Sequence, residues 1–143
     1  MSFDWSKYLD LAQELTVQAS SSSSQAAQDA QPMQIVQAAQ DAQDAKLRCA
    51  VSRAYYAAFC KARNHLRDIY SLPVPHDGSD HRYVKEEFKK NNIKERRRIG
   101  VNLERMKINR GKADYDDVVK NLTQMANENL NLARRVIMDL GNI

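Results

Sequence analysis

Residues 50–66 read AVSRAYYAAFCKARNHL, a run of small helix-forming residues broken by Ser52, Arg53 and the adjacent pair Tyr55 and Tyr56. Consecutive residues on a helix point about 100° apart, so the two tyrosines cannot share a face. Apolar character on more than one side marks a central helix packed by several neighbours. Alanines at 50, 54, 57, 58 and 62 permit close approach of those neighbours. Ser52 and Arg53 need polar partners if they are buried. Working outward, Leu47, Val51, Ala54, Ala58, Ala62, Leu66 and Ile69 recur at i+3/i+4 spacing. That stripe predicts a helix over about 40–70.

Four more helices are expected around it. Residues 4–17 carry Trp5, Tyr8, Leu9, Ala12 and Leu15 at helical spacing, with Asp4 as a cap. SLPVPHDGSD (71–80) is a break with two prolines and a glycine. A helix over about 80–90 follows, with Tyr83, Val84 and Phe88 inward. Another, over 94–109, faces Ile99, Leu103 and Met106 inward. The link RGKADY leads to a last helix over 116–140, capped by Asp114 or Asp116, with Val119, Leu122, Ala126, Ala133, Val136 and Leu140 inward. Short links between amphipathic helices predict an all-α, antiparallel up-and-down bundle of four to five helices. The 143 residues form one domain by size.

Residues 18–43 differ in character. They are rich in Gln, Ala and Ser, and QAAQDAQ occurs twice, at 25–31 and 37–43. The repeat suggests a duplication, and the segment is expected as a low-complexity surface insertion, mobile at Ser20–Ser24 and interrupted at Pro32. It turns helical toward its C-terminal end.

Composition excludes several classes. No run approaches the roughly 20 apolar residues that span a bilayer. MSFDWSKYLD has no apolar signal-peptide core, which favours a cytoplasmic location. Cys49 and Cys60 are eleven positions apart on one expected helix, about 16 Å, too far for a disulfide. They read as small buried residues. No zinc spacing, phosphate loop or dinucleotide fingerprint is present, so neither metal nor cofactor is expected. Charge is uneven: residues 82–112 hold twelve Lys/Arg against four Glu, a local +8 in a chain of net +4. Arg96, Arg97, Arg98, Arg105, Lys107 and Lys112 are candidates for contact with an anionic partner such as nucleic acid, or for a plain solvated face.

KLRCAVSRAYYAAFCKARNHL closely resembles the long helix of the HEPN (higher eukaryotes and prokaryotes nucleotide-binding) superfamily. The matching positions are Arg48, Ala50, Ser52, Arg53, Ala54, Tyr55, Tyr56, Ala57, Ala58 and Phe59. NRGKADYDD resembles that family's Arg-x-x-Ala-Asp-Tyr motif at Arg110, Ala113, Asp114 and Tyr115. The resemblance covers roughly 3–17 and 44–140. It implies a helical bundle, a homodimer, and membership of a toxin–antitoxin or nucleotidyltransferase-associated system, with a minimal nucleotidyltransferase antitoxin, nucleotide or RNA as partner. Active members are metal-independent endoribonucleases with an Arg followed four to six residues later by His near the dimer seam. Arginine stabilises charge developing on phosphorus, and histidine moves a proton near neutral pH.

This chain departs there. Tyr115 stands where His is expected, and no His follows His81. The candidate catalytic set is therefore Arg110, Asp114 and Tyr115, although a tyrosine of ordinary pKa, about 10, is a poor base at neutral pH. Asp114 is expected to pair with Arg53 or Arg48. Two readings stay open for Ser52, Arg53, Tyr55, Tyr56 and the 110–115 set: a structural lock, or an altered active site. By function the alternatives are a binding protein, a ribonuclease toxin and a basic nucleic-acid-binding module.

Overall fold

The computed structural model describes residues 3–28 and 32–143. Five helices occur among them: α1 (Ser6–Gln28), α2 (Met33–Tyr70), α3 (Asp80–Lys89), α4 (Lys94–Tyr115) and α5 (Leu122–Gly141). They pack as an all-α bundle. The helix read first is its axis, since α2 touches each of the other four. Its stripe is buried from Leu47 to Leu66, and Tyr55 and Phe59 are buried beside it. Ile69, expected inward, is exposed near the end of α2. There Ser71 adopts left-handed backbone (φ 51°), and the Leu72 N–H closes back on the Leu66 carbonyl at 3.1 Å.

The other inward faces follow the sequence pattern. Ala12, Val84, Phe88, Ile99, Leu103, Met106, Ala126, Ala133 and Val136 join the core. α3 and α4 meet closely at Gly100. A β-carbon there would lie 2.8 Å from the Lys89 backbone nitrogen, so only glycine fits. Two polar groups are locked into the bundle. Asn129, fully buried, donates to the carbonyls of Val51 (3.2 Å) and Met106 (3.4 Å) and accepts from Asn109 (2.9 Å). Asp139, 1% exposed, receives a two-pronged bond from Arg98 of α4.

Three boundaries differ from expectation. α1 does not stop at 17; it continues as helix through the serine run to Gln28, and Ala19 packs in the core. Ser20 and Ser21 bond their hydroxyls to the carbonyls of Thr16 and Val17 one turn back, so serine is held inside the helix rather than ending it. Residues 29–31, part of the expected loop, lie outside the described residues. α2 begins at Met33, directly after Pro32, where a missing N–H costs nothing. At the other end, RGKADY is not a link but the last turns of α4, and α5 starts at Leu122 behind Asn121, not at an Asp cap. The cause is Arg48. Its guanidinium donates to the carbonyls of Ala113 (2.9 Å), Asp116 (2.7 Å) and Asp117 (3.1 Å), satisfying orphan acceptors at the helix end and pinning the turn to α2. Cys49 is exposed, contrary to expectation, because it points away from the stripe; Cys60 is buried. Among the described residues no helix is long and apolar enough to cross a membrane.

Candidate functional site

Tyr55 and Tyr56 leave α2 about 100° apart, but contrary to expectation their rings meet edge to face with centroids 5.3 Å apart, and both help to build one polar cluster. The Tyr55 ring is buried, and its hydroxyl meets His81 Nδ1 at 2.6 Å. Burial pushes the Tyr55 phenol above its ordinary pKa, so it stays protonated. Burial also holds the His81 imidazole below its usual range, with Lys107, Arg110 and Arg63 acting in the same sense against Asp80. His81 is thus neutral at pH 7; the Asp80 carboxylate, 3.7 Å from Nε2, favours the proton there, which leaves Nδ1 to accept from the Tyr55 hydroxyl. His81 also stacks on Phe59, with centroids 4.1 Å apart.

Tyr56 faces Arg110. The guanidinium donates to the Tyr56 hydroxyl at 3.3 Å and to Asp114 at 3.4 Å, and it lies 5.6 Å from the centroids of both tyrosine rings. Ser52 completes this side with a long 3.5 Å bond to Asp114. Arg110, Asp114, Ser52, Tyr55 and Tyr56 are therefore brought together. Two expectations of placement fail. Asp114 pairs with Arg110, one turn away on α4, because Arg48 is taken up by carbonyls and Arg53 by rings. Tyr115 is 77% exposed and is absent from the cluster: one residue on from Asp114, it is turned about 100° round the helix. The histidine that reaches the cluster is His81, from α3.

Beside His81 a pocket of about 370 Å³ opens between α1, α2 and α3. Trp5, Tyr8, Tyr56, Phe59 and His81 supply ring faces or edges, and Arg53, Arg63 and Asp80 supply charge. Arg53 lies 4.9 Å over Tyr8 and 5.7 Å from Tyr56; Arg63 lies 5.6 Å over Trp5 and 5.9 Å from Phe59. Stacked guanidiniums keep their planes presented; Arg63 spends Nε and Nη2 on Asn64 Oδ1 (3.2 and 3.1 Å), which leaves Nη1 toward a ligand. Cys60 also lines the pocket, but burial pushes its thiol up to about 11, so it is not a nucleophile at neutral pH. Trp5, Tyr8, Arg63 and His81 escaped the sequence reading as site residues. The signal available was the density of rings and guanidiniums at the start of α1 and along one side of α2.

The basic segment is less available than its charge suggests. Arg98 is committed to Asp139 and Arg105 to Glu128, while Arg96 lies 4.4 Å over Tyr70. Lys85 and Lys89 both hold Glu104. Of the six candidate cations, Arg97, Lys112 and, while paired with Glu128, Arg105 face solvent, and Lys107 lies near His81. Comparison of the chain with protein-family models, curated proteins and solved structures finds no match.

Proposed function

We propose that this is a HEPN-like helical protein that binds a nucleotide, or the end of an RNA chain, in the pocket between Trp5 and His81. The observation that carries the reading is Arg53 and Arg63 lying over ring faces at one pocket. Such a lining suits a planar, anionic ligand: a base stacks on rings, and phosphate oxygens accept from guanidinium edges. Lys107 and Arg110 add positive potential around His81. The sequence resemblance adds that such a protein works within a toxin–antitoxin or nucleotidyltransferase-associated system.

A second reading, metal-independent RNA cleavage, has one observation in its favour. His81 takes the place beside Arg110 that Tyr115 does not reach. Against it, His81 Nδ1 is already occupied by the Tyr55 hydroxyl and Nε2 carries the proton, so the imidazole offers a donor and no free base. Binding is the better-supported activity. Calorimetric titration with adenosine and guanosine monophosphates and a short single-stranded RNA separates the readings. Binding that weakens at least tenfold in Arg53→Ala or Arg63→Ala, with RNA left intact, is the expected result. RNA cleavage insensitive to EDTA and lost in His81→Ala would move the chain to the ribonuclease class.

A further inference from the structure

A second pocket, of about 280 Å³, lies where the end of α2 meets the turn between α3 and α4. Leu66 and Phe88, both buried, line it together with Tyr70 and Leu72. It shares no residue with the pocket beside His81. Leu66 follows Phe59 by seven positions on α2, and Phe88 follows His81 by seven on α3, so the two pockets lie about 10 Å apart along the bundle. The polar lining is Arg96, Asn91 and the Glu87–Lys90 ion pair. Arg96 stands apart from its basic neighbours. Arg98, Arg105, Lys85 and Lys89 are matched by acids, whereas Arg96 makes no ion pair among the described residues. Its Nε is buried without a hydrogen-bond partner, and its guanidinium is held 4.4 Å over the Tyr70 ring. Tyr70 is held in turn by His65, edge to face with centroids 5.4 Å apart. A buried donor left unmatched costs stability unless a ligand supplies the acceptor.

We propose that this pocket binds a small organic acid, with a single carboxylate on Arg96 and an apolar tail against Leu66, Tyr70, Leu72 and Phe88. A guanidinium fork matches a planar carboxylate with two parallel bonds. Stacking on Tyr70 fixes the plane of that fork in advance. Asn91 accepts from the Ile93 N–H at 2.9 Å through Oδ1, which leaves its Nδ2 amide to donate to the ligand. Glu87 sets the charge limit. Glu87 and Lys90 cancel at 2.5 Å, so Arg96 is the one net charge of the lining. A monoanion matches that charge, and a phosphate dianion is opposed by the Glu87 carboxylate. The apolar walls also disfavour a bare inorganic ion, which would give up its hydration for one fork. The site is separate from the nucleotide pocket and does not rest on it.

Titration of the full chain with phenylacetate and with hexanoate, followed by NMR, tests this. Saturable shifts at Tyr70, Leu72, Phe88 and Arg96 are expected at millimolar concentration or below. Phenylacetamide has the same shape without the charge and should bind at least tenfold more weakly. Inorganic phosphate should leave the Leu72 and Phe88 resonances in place. Arg96→Gln should weaken both acids at least tenfold with the helical circular dichroism intact, and Arg96→Lys should recover only part of that loss. Leu72→Trp keeps Arg96 and fills the pocket from the loop after α2, so it should abolish binding; it decides the matter if Arg96→Gln fails to fold. Acids that bind equally well in Arg96→Gln, or no better than the amide, overturn the proposal, as does the absence of any shift at these residues. A loss in Arg63→Ala as large as in Arg96→Gln would assign the acids to the pocket beside His81 and would overturn it too.

Discussion

Tyr55 and His81, 26 positions apart in sequence, share a 2.6 Å hydrogen bond that holds the imidazole against the core. The bond joins the core of α2 to the first turn of α3, so the pocket wall is tied to the centre of the bundle. Tyr55→Phe keeps the ring and removes the donor. It should cost about 1–2 kcal/mol. It should also move the His81 pKa upward, because the neutral imidazole loses the bond that favours it. Proton NMR titration of His81 in the two proteins checks both direction and assignment. An unchanged pKa would show that the bond does not hold in solution.

The lock of the bundle lies at Arg98–Asp139 rather than at Arg110–Asp114. Asp139 is 1% exposed, whereas Asp114 reaches solvent. Removing the arginine strands a buried carboxylate in the first case and a hydrated one in the second. Arg98→Ala should lower the thermal midpoint by roughly 10 °C or more, and Arg110→Ala by a few degrees at most. Equal losses would contradict the assignment.

Asn129 supplies a second internal tie, joining α5 to backbone carbonyls of α2 and α4. Asn129→Ala leaves both carbonyls and the Asn109 amide short of a partner. A destabilisation of about 2–3 kcal/mol in urea unfolding is expected, with an unchanged slope.

Stability should fall as the solution is acidified. Burial holds both His65 and His81 below their ordinary pKa, with Arg96 assisting at His65 and Lys107, Arg110 and Arg63 assisting at His81. Above about pH 6.5 both states are neutral and there is no effect. Below it the unfolded chain binds more protons than the folded one, so stability drops as pH falls toward the folded pKa values. His65 has a buried Nε2 with no hydrogen-bond partner, so His65→Gln should flatten the slope between pH 6.5 and 5. Urea midpoints across that range measure it.

Much of the fold was legible because the apolar spacing is regular: the α2 stripe from Leu47 to Leu66 and the inward faces of α3, α4 and α5 lie in or against the core. Boundaries were not, because they depend on partners far along the chain. Nothing local in RGKADY says that Arg48 will reach its carbonyls and extend α4. The site was half legible. Arg110, Asp114, Ser52 and Tyr56 meet as their motifs suggested, although Arg110 and Asp114 pair along their own helix. His81 was invisible as a site residue, since its nearness to Arg110 is made by the packing of α3 rather than by spacing in sequence. The basic run misled in part, because internal acids such as Glu104, Glu128 and Asp139 neutralise it in three dimensions.

Trp5 is the single tryptophan of the chain and lines the pocket, so its emission reports on the central claim. Titration with adenosine and guanosine monophosphates at pH 7 should quench it saturably as a base stacks nearby. Arg63→Ala should weaken the apparent affinity at least tenfold without changing the free-protein circular dichroism. An emission that does not respond to either nucleotide, or responds equally in Arg63→Ala, would contradict the account.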